Sequence, residues 1–225
     1  MGLNIQNNKI KAFIFDVDGT IINPHEGLIE CVKAAIKKLN FEMLSDDVLN
    51  TFIGPPIQNS FQKYYNLSEI EAKRARDVFR SFYEKDEFLF KAYVYNGIMD
   101  LLKLLKERNI QIGIATYKRE DYAVKLLKHF DIAQYCDKIC GADFENKLTK
   151  LDIIKNCMKS LNINNPSDAI MVGDTCFDGF AANELKMDFI CCTYGFGFKS
   201  QDEIDKHKNI FVANDVSDIS KVLIG

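Results

Sequence analysis

The feature that most restricts the fold of this chain is an alternation. Short, unbroken apolar runs recur along it, and each is followed by a stretch with helical periodicity. The first run is AFIF, at residues 12–15. IQIGIAT (110–116), AIMV (169–172) and FICCTYG (189–195) repeat the texture, and KIC (138–140) and IFVA (210–213) are shorter versions. Between them, residues 98–107 place Ile98, Met99, Leu101, Leu102 and Leu105 on one helical stripe, and 121–129, 150–161 and 178–186 also read as helices. Apolar runs without polar alternation suit strands buried on both faces. Strands that alternate with helices imply an α/β fold, a parallel sheet covered by helices on both sides. In open sheets of this kind, ligands bind at the carboxyl ends of the strands.

One segment breaks the rhythm. Residues 23–91 contain helical patterns and no convincing strand. A helix spans 26–39, a short one follows Ser45 or Asp46 as cap, and others cover 57–65 and 69–84, with IGPP at 53–56 interrupting the chain. That is too long for an ordinary crossover, so it reads as a helical domain inserted after the first strand. The expected division is 1–22 plus 92–225 for the α/β core and 23–91 for the insertion.

Composition excludes several classes. Apolar residues make up 47% of the 225, enough for a large core and against disorder. The net charge of −3 gives no electrostatic support for a nucleic-acid polymer or a membrane surface as partner. No segment approaches 18 uninterrupted apolar residues, and nothing before Lys9 resembles a signal peptide. Gln6 stands where a myristoylation signal requires Ser or Thr. Seven cysteines form no CxxC pair, so free thiols and a reducing, cytoplasmic setting are expected.

The chemistry-bearing residues gather at four strand ends. The first strand ends in Asp16 and Asp18, one residue apart. Asp18-Gly19 between apolar residues has the form of a type I′ hairpin turn, which leaves Asp16 unexplained. The alternative is a nucleophilic carboxylate beside a proton-transfer group. Thr116 ends the second strand, followed by Tyr117 and Lys118. Its hydroxyl and the nearby amides can cap an element or hold a phosphate oxygen. In ENKLTKLDII, Thr149 with Asp152 three residues on is a variant capping box, which sets Lys150 at the first helical position. A cation there opposes the helix dipole, so it is either a surface lysine or a fixed charge beside a phosphate. Lys147 is its rival. The strand AIMV ends in GDTCFD, where Asp174 and Asp178 are ordinary helix-start residues or, with Asp16, a hard oxygen site for Mg²⁺.

DVDGT, then IATYK, then Lys150, then GDTCFD resembles the haloacid dehalogenase-like hydrolase superfamily over nearly the whole chain. The resemblance implies a Rossmann-like core with an inserted helical cap. It implies Asp16 as a nucleophile that becomes phosphorylated, and Asp18 as general acid/base with its main-chain carbonyl on the metal. Thr116 and Lys150 would bind the phosphoryl group. Asp174 would ligate Mg²⁺, with Asp178 supporting that site. DGTIINPHEGLIECV and IGPPIQNSF look like the phosphoglycolate phosphatase-like branch, which has relatives acting as nucleotide 5′-phosphatases. There the loop at Gly54 and Pro55 reaches toward substrate. Tyr117 and Arg119 depart from that branch's Ala-Thr-Ser-Lys-Pro, while Lys118 matches; Tyr117 and Lys118 are expected near the substrate.

The expected function is Mg²⁺-dependent hydrolysis of a small phosphorylated metabolite. A phosphomutase of the β-phosphoglucomutase type shares the DxD chemistry. Dehalogenation has no need of Asp18. Phosphonate hydrolysis would require a particular cap lysine. A non-catalytic binding protein on a hydrolase scaffold would be expected to have lost Asp16, Asp18, Lys150 or Asp174, all of which are present. Oligomeric state is left open.

Overall fold

The structure, a computed structural model, describes residues 10–224, so most of the stretch read for targeting signals lies outside it. In chain order the elements are β1 (Ala12–Phe15), β2 (Ile22–Asn23), α1 (His25–Lys38), α2 (Asp46–Asn50), α3 (Ile57–Tyr65), α4 (Glu69–Tyr83), α5 (Asp86–Leu89) and β3 (Tyr93–Val94). Then follow α6 (Ile98–Glu107), β4 (Gln111–Arg119), α7 (Glu120–His129), β5 (Lys138–Ala142), α8 (Lys150–Ser160) and β6 (Ala169–Gly173). The chain closes with α9 (Cys176–Leu185), β7 (Asp188–Cys192), α10 (Gln201–Asp205), β8 (Phe211–Ala213) and α11 (Val216–Ile224).

Six strands form one parallel sheet in the order β5-β4-β1-β6-β7-β8. β1 sits inside it, with Phe13 opposite Ile112 on one side and Ile170 on the other. All four β1 side chains are buried because helices cover both faces. Ala12 and Ile14 join Ile153, Ile154, Ala181 and Ala182 of α8 and α9 in one core layer. Phe13 and Phe15 point the other way, by the two-residue period of a strand. This is the α/β architecture expected from the alternation, with its helical insertion.

The chain divides into two compact units, residues 1–22 with 94–225, and residues 23–93. The second crossing falls two residues past the expected 91, on the two-residue strand β3, which pairs with β2. Strands this short carry no periodicity and were not legible. Within the helical unit, α1 packs on α4, and α3 also packs on α4. α4 opens with a capping box between Ser68 and Glu71. Gly54, in the turn between α2 and α3, has φ +104°, and α3 starts directly after Pro56. Among the described residues no helix is long and apolar enough to cross a membrane.

Three local expectations change. β4 runs on to Arg119 rather than stopping at Thr116, with an irregularity between Ala115 and Arg119. α9 begins two residues early, at Cys176, because Thr175 caps it and Asp178 closes the box. The Asp18-Gly19 turn is not type I′, which needs positive φ at both central residues. Here only Gly19 has it, at +89°, and Thr20 N–H donates to the Val17 carbonyl at 3.3 Å. That is the pattern of a type II turn, with glycine third.

Candidate active site

The carboxyl ends of β1, β4 and β6, with the start of α8, bring the strand-end residues together inside the α/β unit. Asp16 follows β1 directly, and its N–H donates to Val172 of β6 at 2.9 Å, which fixes the carboxylate over the sheet. Asp174 follows β6, and Asp178 lies in the first turn of α9. Oxygens of Asp16, Asp174 and Asp178 all lie within 4.8 Å of one another, and all three residues are buried.

Lys150 binds this cluster from the first position of α8. The Thr149 capping box forms as the spacing requires: Asp152 N–H donates to Thr149 Oγ1 at 3.2 Å, and Thr149 N–H to Asp152 Oδ2 at 3.0 Å. Lys150 Nζ donates to Asp16 Oδ1 at 2.7 Å and lies 2.7 Å from Asp178 Oδ1. The second contact is a buried ion pair, so one ammonium bridges two carboxylates. Burial disfavours the ammonium, but Asp16 and Asp178 outweigh it and raise the Lys150 pKa. Lys147, the rival, is exposed and gives its main-chain N–H to Asp143.

Asp174 is held by Phe196 N–H on Oδ2 at 2.7 Å and by the Thr20 hydroxyl on Oδ1 at 3.3 Å. Two glycines leave room for it. A Cβ at Gly19 would fall 2.1 Å from Asp174 Oδ2, and one at Gly195 2.3 Å from the same atom. Burial, then repulsion by Asp16 and Asp178, raises the Asp174 pKa well above the carboxylate range. Burial also raises Asp178, with Lys150 opposing it.

Asp18 stands slightly apart. Its Oδ2 pairs with Lys118 Nζ at 2.9 Å, and its buried Oδ1 has no hydrogen-bond partner among the described residues. Burial raises its pKa, Lys118 opposes that, and Asp16 adds to it. Burial that raises a carboxyl's pKa favours the protonated form that a general acid needs. Thr116 is buried and its Oγ1 accepts from Lys118 N–H at 3.2 Å.

Two expected substrate contacts have protein partners. Lys118 pairs with Asp18, and the Tyr117 hydroxyl accepts Lys150 N–H at 2.9 Å. Gly54 belongs to the helical unit. Sequence reasoning missed Thr20 and the loop after β7. Tyr194 Oη donates to the Thr20 carbonyl at 2.9 Å, and Phe196 N–H reaches Asp174. The glycine-rich TYGFG at a strand's carboxyl end was the available signal.

The fit to a divalent cation can be judged from the donors. Four carboxyls (Asp16, Asp18, Asp174, Asp178) and two ammoniums (Lys118, Lys150) share the buried volume, a net of two negative charges when ionised. The buried Asp18 Oδ1 has no hydrogen-bond partner among the described residues. Hard oxygens with unspent charge suit Mg²⁺ or a similar ion.

Such a cluster at the strand ends of a parallel sheet suits phosphoryl chemistry, and comparison with known proteins supplies the class. Residues 13–192 match the haloacid dehalogenase-like hydrolase family, to which the chain belongs. Within it the chain sits among the phosphatases. It is 28% identical to the 5′-nucleotidase of Pseudomonas aeruginosa, over 93% of this chain and 94% of that one. It is 22% identical to the phosphoglycolate phosphatase of Vibrio parahaemolyticus, over 95% and 96%. A solved structure of a predicted phosphatase from Clostridium acetobutylicum superposes with a TM-score of 0.88 at 35% identity, covering 96% of this chain and 98% of that one.

Proposed function

We propose that this chain is an Mg²⁺-dependent phosphatase that hydrolyses small-molecule phosphate monoesters through an aspartyl-phosphate on Asp16. The observation that supports this most is Lys150 Nζ placed 2.7 Å from both Asp16 and Asp178, inside a buried cluster that includes Asp174. Lys150 orients the nucleophile and supplies charge where the phosphoryl oxygens would sit.

Asp16, Asp174 and Asp178 would hold the metal ion, with Asp18 beside it. When bound, the ion neutralises phosphoryl charge as a Lewis acid. An Asp16 oxygen attacks phosphorus, and the bond from phosphorus to the ester oxygen breaks. Asp18, its pKa raised by burial, gives its proton to the departing alcohol. The Asp18 carboxylate then takes a proton from water as that water attacks the aspartyl phosphate. Inorganic phosphate leaves, and both aspartates return to their starting states. Thr116, buried in β4, and Lys150 hold the phosphoryl oxygens.

Substrate class follows from the relatives. One is named a phosphoglycolate phosphatase and another a 5′-nucleotidase, so phosphoglycolate and nucleoside 5′-monophosphates are the first substrates to try. All seven cysteines are thiols, which suits a cytoplasmic setting.

The test is phosphate release from a panel of monoesters, with Mg²⁺ and with chelator. Wild type is expected to turn over an aryl phosphate and at least one metabolite only with the metal. Asp16→Asn should lose at least ~1,000-fold in kcat. Wild-type turnover by that variant would remove Asp16 as nucleophile.

A further inference from the structure

Tyr117 touches Lys150 at both ends of that residue. Its hydroxyl accepts the Lys150 main-chain N–H at 2.9 Å, and the Lys150 ammonium lies 5.8 Å from the centre of its ring. The N–H is one of the donors that a helix start leaves without an intrahelical partner. Thr149 takes the Asp152 N–H, so the Lys150 N–H depends on Tyr117. The tyrosine ring is itself braced, because Phe177 meets it edge-on at 5.3 Å and 83°. Phe177 precedes Asp178, the second carboxylate on Lys150. One side chain thus joins the end of β4 to the starts of α8 and α9.

We infer that Tyr117 is a positioning residue for Lys150 rather than a substrate contact, setting where the ammonium stands against Asp16 and the phosphoryl group. The inference rests on the phosphatase reading and deepens it. Tyr117 fixes the main-chain origin of the lysine side chain through its hydroxyl and keeps an aromatic face beside the charge, where a cation is attracted. Its influence reaches the reaction through the phosphoryl side only. Its loss should therefore cost the same factor whatever alcohol is leaving.

The experiment is steady-state kinetics of Tyr117→Phe, which deletes the hydroxyl and keeps the ring. Substrates are an aryl phosphate, a sugar phosphate, a nucleoside monophosphate and phosphoglycolate, with Mg²⁺. A small displacement of a catalytic group costs on the order of 10-fold, so kcat should fall by about that factor, equally on every substrate that wild type hydrolyses. KM should stay within about twofold, because the lost interaction acts in the transition state. The Mg²⁺-induced rise in melting temperature should match wild type, since the carboxylates do not move; a merely structural defect would reduce it. An equally active variant overturns the inference. So does a loss that differs between leaving groups, which would make Tyr117 a substrate contact. So does a reduced Mg²⁺ shift. Wild type run alongside separates the two readings. If wild type hydrolyses nothing, the phosphatase reading fails and this inference with it. If wild type is active and the variant equals it, only the inference fails.

Discussion

Replacing Asp174 with Asn puts the electrostatics of the cluster to a quantitative test. Asp174 is fully buried, and its carboxylate lies within 4.8 Å of carboxylate oxygens of Asp16 and Asp178. At that distance and an effective dielectric near 20, two full charges repel by about 3.5 kcal/mol. Two such pairs give at least ~7 kcal/mol between fully ionised, metal-free carboxylates at that dielectric, part of it offset by the Lys150 ammonium beside Asp16 and Asp178. Asp174 avoids part of this by keeping its proton, because burial and its neighbours raise its pKa well above the usual range. An amide removes the charge and keeps the shape. Its oxygen can accept from Phe196 N–H, and its NH₂ can face a rotated Thr20 hydroxyl. Without divalent metal at pH 7.5, Asp174→Asn should therefore be more stable than wild type by about 1–3 kcal/mol, a rise of roughly 2–4 °C in Tm per kcal/mol. The gap should depend on pH. The folded protein binds a proton that the unfolded chain releases. The stability Asp174 contributes is thus present below the unfolded carboxylate value and drains as pH rises through the raised folded value. Variant and wild type should converge near pH 4–5 and separate toward pH 8, pH values set by the usual carboxylate range. Magnesium should narrow the advantage. For a site of about 1 mM affinity, 10 mM ion stabilises wild type by about 1.4 kcal/mol, and the variant should gain little. Phosphatase activity should fall at least ~100-fold. The assay is thermal unfolding in chelator and in Mg²⁺ across that pH range, with phosphate release measured alongside. A variant less stable than wild type at every pH in chelator would refute the repulsion argument. A wild-type Mg²⁺ shift in the variant would remove Asp174 as a ligand.

Two further substitutions probe neighbouring parts of the site. Asp18→Asn should stop turnover, while an aryl phosphate, whose leaving group needs little protonation, still phosphorylates Asp16. Intact mass measurement should then show one added phosphoryl group, and its absence would argue against separate attack and hydrolysis steps. Gly19→Ala should cost at least ~2 kcal/mol in urea unfolding, because its φ of +89° resists a side chain and the new Cβ would press on Asp174. A stability loss below ~0.5 kcal/mol would show that the loop relaxes freely.

Much of the site could be read before folding because its placement is local. The AFIF run must end a buried strand, so Asp16 must stand at its edge. Thr149 and Asp152 satisfy each other over three residues, which fixes Lys150 at the first position of α8 without tertiary information. Other features depended on residues far apart in the chain. The cap favoured Lys150 over Lys147, but the meeting of Lys150 with Asp16 spans 134 residues and needs the assembled fold. Lys118 carries part of the family resemblance, and the fold sets its ammonium against Asp18, 100 positions earlier. Tyr117 likewise turns to α8, since the amide it receives is 33 residues away. Even the first turn changed: its Asp-Gly pair fits type I′ and type II, and the choice falls to type II with Gly19 against Asp174.

Local pattern was enough for the parallel α/β alternation, the helical insertion and the identity of the strand-end residues. Those follow from apolar runs, periodicity and capping, all of which act over a few residues. Which charges meet depends on the assembled fold. β1 lies between β4 and β6, so Asp16, Thr116 and Asp174 arrive toward the carboxyl end of one parallel sheet from positions far apart in the chain. Coulomb interactions depend on distance in space and on burial, and neither is encoded in local spacing. That is why the carboxylate cluster, the Lys150 bridge and the Tyr117 contact emerge only once the sheet is assembled.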